Sequence, residues 1–236
     1  MANYTKNMEF LSLAIFMILI LIILAIVYQI NIKKVKEFAE RKELDEITKK
    51  YPSNIEICKS ILKKLGNENV KIEEDKEASN CLYIAITNKI IIADVKNSYT
   101  RIQTIAHEAL HSIQNRRVLL FNFIFSNIYL IYFAIVSIMA IFKILPHKML
   151  FLSIFMVLGY TYYFIRSYLE QDAMTKARFV AEKYLEEQNL SSKEEIEKIV
   201  NEYDKLNDVG IRHVNYSLMM GTLVKTIIVT LICFIR

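Results

Sequence analysis

Two histidines and a glutamate stand together in Ala106-His107-Glu108-Ala109-Leu110-His111-Ser112, the spacing H-E-x-x-H. Apolar residues at Ile102, Ile105, Ala106, Ala109, Leu110 and Ile113 recur with helical period, so the motif is expected on a helix. One helical turn brings residues four apart onto the same face. Two imidazoles so placed both reach one Zn²⁺, at about 2.0–2.1 Å each. Glu108 is then positioned as general base towards a water whose pKa the metal lowers towards ~7. A hydrolytic zinc site needs a third protein ligand and a position left for water. No H-x-x-G-x-x-H continuation follows, because Asn115 and Arg116 occupy that stretch, so a distant carboxylate is required. Glu170, in Glu170-Gln171-Asp172-Ala173, is the best candidate. Ala173 and Ala177 are small and one turn apart, which would let that helix approach the histidine helix closely. Asp172 is expected to orient a ligand rather than to bind the metal. The plain alternatives are a chance H-E-x-x-H and a solvated acid on a charged helix face.

The elements that must position these residues are unusual in their distribution. The chain has 236 residues, 54% hydrophobic and 23% charged, with Gly 4, Pro 2 and Trp 0. So little turn material argues against many-stranded sandwiches and barrels. Four runs are long and apolar: 10–30, 118–142, 149–165 and 214–235, the last interrupted by Lys225. A spanning helix needs roughly 17–25 such residues. The first run is too long for a signal-peptide core and has no small-x-small cleavage site after it, so it reads as an uncleaved anchor. Lys33, Lys34, Lys36, Arg116, Arg117, Arg166, Lys176, Arg178, Lys205 and Arg212 gather on one side, against Lys6, Lys143, Lys148 and Arg236 on the other. This bias places both termini outside and both polar segments, 31–117 and 166–213, in the cytoplasm. Two crossings separate His111 from Glu170, so both fall in one compartment. The net charge of +5 is accounted for by this flanking pattern and not by a nucleic-acid footprint. Cys58, Cys81 and Cys233 are odd in number and widely spaced, which fits a reducing compartment for the first two better than a disulfide framework.

Within the first polar segment, Ile32, Val35, Phe38, Ala39 and Ile47 suggest that the first membrane helix continues as an amphipathic stalk, broken at Pro52-Ser53-Asn54. A short helix through Ile57–Leu65 ends at Gly66. Val70–Glu73 reads as a strand, and Leu82–Ile86 with Lys89–Ala93 as a hairpin turning at Thr87-Asn88. Ser98 is expected to cap the metal helix. In the second polar segment, 168–187 reads as a helix prolonging the third membrane helix. Ser191-Ser192 caps another helix, and Gly210 is expected to loosen the chain before the last span. The fold class is therefore mainly α: a multi-pass helical membrane protein with a small α+β, zincin-like cytoplasmic domain.

The segments Ile105–Gln114 and Glu170-Gln171-Asp172-Ala173, with the order of elements around them, resemble the membrane-embedded neutral zinc metallopeptidases of the YugP type. These are distantly similar to HtpX and the CAAX-prenyl protease gluzincins. The resemblance covers nearly the whole chain and rests on those two motifs. It implies His107, His111 and Glu170 as zinc ligands and Glu108 as catalytic acid/base. Leu110 stands where the family has Gly, which would narrow the cleft over the metal. Met174 stands where HtpX-like enzymes have Asp.

The expected activity is zinc-dependent hydrolysis of peptide bonds, with peptide or membrane-protein substrates near the bilayer and membrane lipids as surroundings. Leu82–Ile86 is a candidate edge strand on which an extended peptide aligns. His213, at the mouth of the last helix, is a candidate oxyanion donor, with Arg212 and Tyr216 as competitors. Lys225, mid-membrane, is expected to face a bundle interior, a substrate or a lipid head group. A non-catalytic zinc-binding scaffold or chaperone is the main alternative, and a transporter the third.

Overall fold

A computed structural model describes residues 2–95 and 98–235, with side chains from residue 8 onwards. The fold is mainly helical, with one three-stranded sheet among the described residues. Two compact units divide the chain: Met1–Ile30, Phe121–Tyr168 and Arg212–Arg236 form one, and Asn31–Leu120 with Leu169–Ile211 form the other.

The first unit is apolar. Four helices carry segments long and apolar enough to cross a membrane: α1 (Ala2–Val27), α6 (Arg116–Ile141), α7 (Lys148–Gln188) and α8 (Lys193–Ile235). Its interior is largely aromatic. Phe155 stacks on Tyr129 and Phe133, with ring centroids 5.0 and 5.7 Å apart, and Phe10, Val136, Ala140, Leu152 and Val229 close around it. The outward faces are apolar as well. Phe16, Ile23, Phe121, Ile131, Ile138 and Val157 are all exposed, far more apolar surface than a water-facing domain presents. These faces fit a bilayer as solvent.

The second unit holds α2 (Ile32–Ala39), α3 (Lys42–Thr48), α4 (Asn54–Lys64), β1 (Lys71–Glu74), β2 (Leu82–Ile84), β3 (Lys89–Ile92) and α5 (Arg101–Ile113), with parts of α7 and α8. Ser53 caps α4 in a capping box with Glu56, and Gly66, at φ +71°, follows its end. The sheet order is β1-β3-β2, with β1 parallel and β2 antiparallel to β3. Ile90 and Ile92 of the central strand are fully buried, meeting Ile57, Ile61, Ile102 and Ile105 in one core. Cys58 lies in the same core as a free thiol, and burial pushes its pKa up to about 12.

Several expectations shift. The stalk does not continue the first helix. Gln29 adopts φ +51°, α2 restarts behind an Asn31 cap, and α3 follows as a separate helix. Amphipathic periodicity runs on through this stretch, but a left-handed residue ends the hydrogen-bond ladder. The hairpin strand stops at Ile84, and residues 85–88 turn, with Asn88 at φ +48°. The N-cap of α5 is Thr100, not Ser98. Ser98 instead accepts the Thr100 N–H on its hydroxyl at 3.2 Å. The helix over 168–187 does prolong the apolar run before it, as α7. Gly210 does not loosen the chain. It lies inside α8, where an added Cβ would stand 3.1 Å from Met174 Cε, so the glycine serves close approach of α8 to α7.

Candidate metal centre

Helix α5 is anchored at its start by Arg101, which is 2% exposed. Its guanidinium donates to the carbonyls of Thr48, Tyr51 and Pro52 and to Asn54 Oδ1, at 2.7–3.0 Å. The three carbonyls lie at the C-terminal end of α3 and just beyond it, where the helix dipole favours a cation, and Asn54 is the first residue of α4. Gln103 donates to Asn207 Oδ1 at 2.8 Å, and Asn207 donates onward to the Met174 carbonyl at 3.1 Å, which ties α5 to α8 and α7. The apolar face of α5, with Ile102, Ile105, Ala106 and Ala109, is fully buried. Ala173, Ala177 and Ala181 of α7 join the same core, and their small side chains bring α7 close to α5.

This packing places Glu170, one turn before Ala173 and two before Ala177, opposite the histidines. His107 Nε2 and His111 Nε2 are 3.1 Å apart. Glu170 Oε2 lies 3.3 Å from His107 Nε2, and Oε1 lies 3.8 Å from His111 Nε2. A tetrahedral zinc with bonds of 2.0–2.1 Å has ligand atoms about 3.3–3.4 Å apart. The separations of 3.1 and 3.3 Å lie close to that edge, the third runs to the other carboxylate oxygen, and two imidazole nitrogens with a carboxylate form a donor set that zinc accepts. His107, His111 and Glu170 therefore form a cluster that could bind a metal ion. The two rings meet edge to face, at 88°.

The tautomer of His111 is set by its other nitrogen. Gln114 donates its amide N–H groups to the Leu169 carbonyl at 2.8 Å and to Asp172 Oδ2 at 3.0 Å. Its Oε1 must then accept, and it stands 2.8 Å from His111 Nδ1. Nδ1 carries the proton and Nε2 presents a lone pair towards the cluster. Lys176 pairs with Asp172 and, with Gln114, holds its carboxyl below the usual carboxylate range. Burial opposes charge on His111, but Glu170, Gln114 and Glu108 together raise its pKa.

Glu108 is 7% exposed and accepts the Tyr83 backbone N–H at 2.6 Å. Burial raises its pKa, with Glu170 adding to the rise, while the two histidines and the Tyr83 amide pull the other way. Tyr83 is the middle residue of β2, an edge strand of the sheet. The fold thus puts the acid of the H-E-x-x-H motif against the edge strand, where it occupies the Tyr83 N–H.

His107, Glu108, His111 and Glu170 come together in the second unit as the spacing led one to expect, and Asp172 joins them through Gln114. Leu110 is 4% exposed and packs into the core, so it fills the interior. His213 lies on α8 in the apolar unit, with a buried Nδ1 that has no hydrogen-bond partner among the described residues. Gln114, the Tyr83 amide and Arg101 were not singled out from the sequence. Gln114 had a usable signal, since a polar residue three places after the second histidine returns to its face of the helix. Comparison with family models, curated proteins and solved structures yields no match.

Proposed function

We propose that the chain is a membrane-integrated zinc metallopeptidase of the YugP-like type, cutting peptide bonds of membrane-proximal proteins or peptides. The observation that carries this reading is the convergence of His107, His111 and Glu170 beside a buried Glu108. Bound there, zinc would supply Lewis acidity for a peptide carbonyl and for water near neutral pH. Glu108 takes the proton from the attacking water at its carboxylate and passes it to the leaving amine. The burial that raises its pKa suits both transfers. Gln114 holds His111 in the ligating tautomer. The edge strand β2 receives an extended substrate by strand pairing. The basic flanks orient the catalytic side towards the cytoplasm, with both termini outside.

Glu108→Gln tests the reading. Cleavage of an unfolded protein substrate by the purified, zinc-loaded chain should fall by about 10²–10⁴-fold while zinc content is unchanged. Unchanged cleavage overturns it. A second reading, a non-catalytic zinc-binding scaffold, draws on the Tyr83 N–H already engaging Glu108. It requires that the wild-type chain cleave nothing and that the variant behave as wild type in cells.

A further inference from the structure

Lys225 is a cation in the middle of an apolar helix. It lies about 15 Å along the axis from either end of the run 214–235, at 1.5 Å per residue. A lysine side chain extends only about 6 Å, so its ammonium cannot snorkel to a bilayer surface. Nζ donates to the Gly221 carbonyl at 3.1 Å and lies 5.8 Å from the centroid of the Tyr129 ring. Within the sequence stretches of this unit the one acidic residue is Glu9, at the beginning of the first apolar run. An ammonium has three donors, and a single carbonyl leaves two of them available.

The same ring carries a second unmet group. Tyr129 is 3% exposed, and its hydroxyl is buried with no hydrogen-bond partner among the described residues. The Thr222 hydroxyl lies beside it. Thr222 and Thr226 donate to carbonyls four residues earlier in α8, at 3.2 and 3.0 Å. Gly159 completes the surroundings, since an added Cβ there would stand 2.6 Å from Thr222 Cγ2 and 3.1 Å from Tyr129 Oη. Three helices of the unit therefore close around a cation and a hydroxyl, both donors, with no acidic side chain beyond Glu9 among the described residues of the unit. Charged groups at this depth persist where they meet a partner or a cavity.

We propose that Lys225 and Tyr129 form an intramembrane binding site for a carboxylate carried into the bilayer on an apolar chain. Lys225 provides the charge and Tyr129 the second donor, and a carboxylate has the acceptor capacity to take both. Two carriers share this chemistry, a fatty acid and the free C-terminus of a hydrophobic peptide.

The test uses the full-length chain in phosphatidylcholine nanodiscs and measures retention of radiolabelled oleate. Unlabelled oleate, methyl oleate, and a hydrophobic peptide with either a free or an amidated C-terminus serve as competitors. Saturable oleate binding resisted by the ester supports a fatty-acid ligand. In a parallel measurement with the free-acid peptide as the radiolabelled species, saturable binding resisted by its amide and by oleate supports a peptide ligand. Lys225→Met should weaken binding of the effective carboxylate about ten- to hundred-fold, and Tyr129→Phe about three-fold. Equal competition by acid and ester, or by acid and amide, in the wild-type chain overturns the proposal without any variant. So does full affinity in a folded Lys225→Met protein.

Discussion

The two units satisfy most of their polar groups in different ways. In the apolar unit, Ser126, Asn127, Ser153, Thr161, Thr222, Thr226 and Thr230 each donate to the carbonyl four residues earlier in their own helix, while Tyr132 reaches the Phe151 carbonyl, Lys148 the Cys233 carbonyl and Ser167 the Asn215 side chain. In the other unit, the decisive bonds join residues far apart in sequence: Arg101 to residues 48–54, Asn67 to Ser112, Tyr83 to Glu108, Gln103 to Asn207, and Gln114 to Leu169 and Asp172. A hydroxyl in hydrocarbon has no water to exchange for a tertiary partner, so a local carbonyl satisfies it at once. A polar group in water gives up hydration on folding, and a distant partner replaces that hydration only where the geometry is held. Precise placement of a metal cluster belongs to the second regime. The apolar unit takes its shape from ring stacking and close glycine contacts.

That contrast is broken most severely at the cluster itself. His107→Ala removes one of three ligands, and zinc affinity should fall by well over the roughly hundred-fold that outer-sphere partners cost. Competition with a chelator of known affinity measures it. Retention within about ten-fold of wild type would place the metal elsewhere. Arg101→Met comes next. It leaves four buried acceptors without their cation and should cost about 3–5 kcal/mol in the stability of this unit. Hydrogen exchange should show faster opening of α5 while the apolar helices stay protected. A cost under about 1 kcal/mol would mean that water replaces the guanidinium.

How much of this was legible in the sequence follows the same division. The apolar runs, the hairpin and the H-E-x-x-H helix are local, so their signals lie within a few residues. Glu170 was legible because small alanines and an even number of crossings constrained a single distant acid. Arg101 was not, because a base at a helix start runs against the helix dipole and reads as solvated. Its partners lie about fifty residues upstream. The break at Gln29 has no glycine or proline to announce it, and Gly210 was misjudged because a glycine that permits close approach looks like one that loosens.

Gln114→Leu sharpens the comparison at intermediate size. It leaves all three ligands in place and removes the acceptor at His111 Nδ1 together with the donors to Leu169 and Asp172, so zinc affinity should fall about 10–100-fold. Gln114→Glu keeps that acceptor but faces Asp172 with a second carboxylate, and should recover part of the loss. If both variants bind zinc as wild type does, the long-range chain through Gln114 contributes nothing to the site.

The smallest effect is expected in the apolar unit. Thr226 is 1% exposed, and its hydroxyl bonds to the Thr222 carbonyl of its own helix. Thr226→Val keeps the branched shape and removes a bond that crosses no interface. The backbone carbonyl it leaves still accepts from the helix ladder. Interhelical hydrogen bonds in membranes average only about 0.6 kcal/mol, and an intrahelical one contributes less to tertiary stability. Denaturant titration in micelles should therefore place the variant within about 0.5 kcal/mol of wild type. A loss of about 2 kcal/mol or more would show that the hydroxyl reaches across to a neighbouring helix, as those of Tyr132 and Ser167 do.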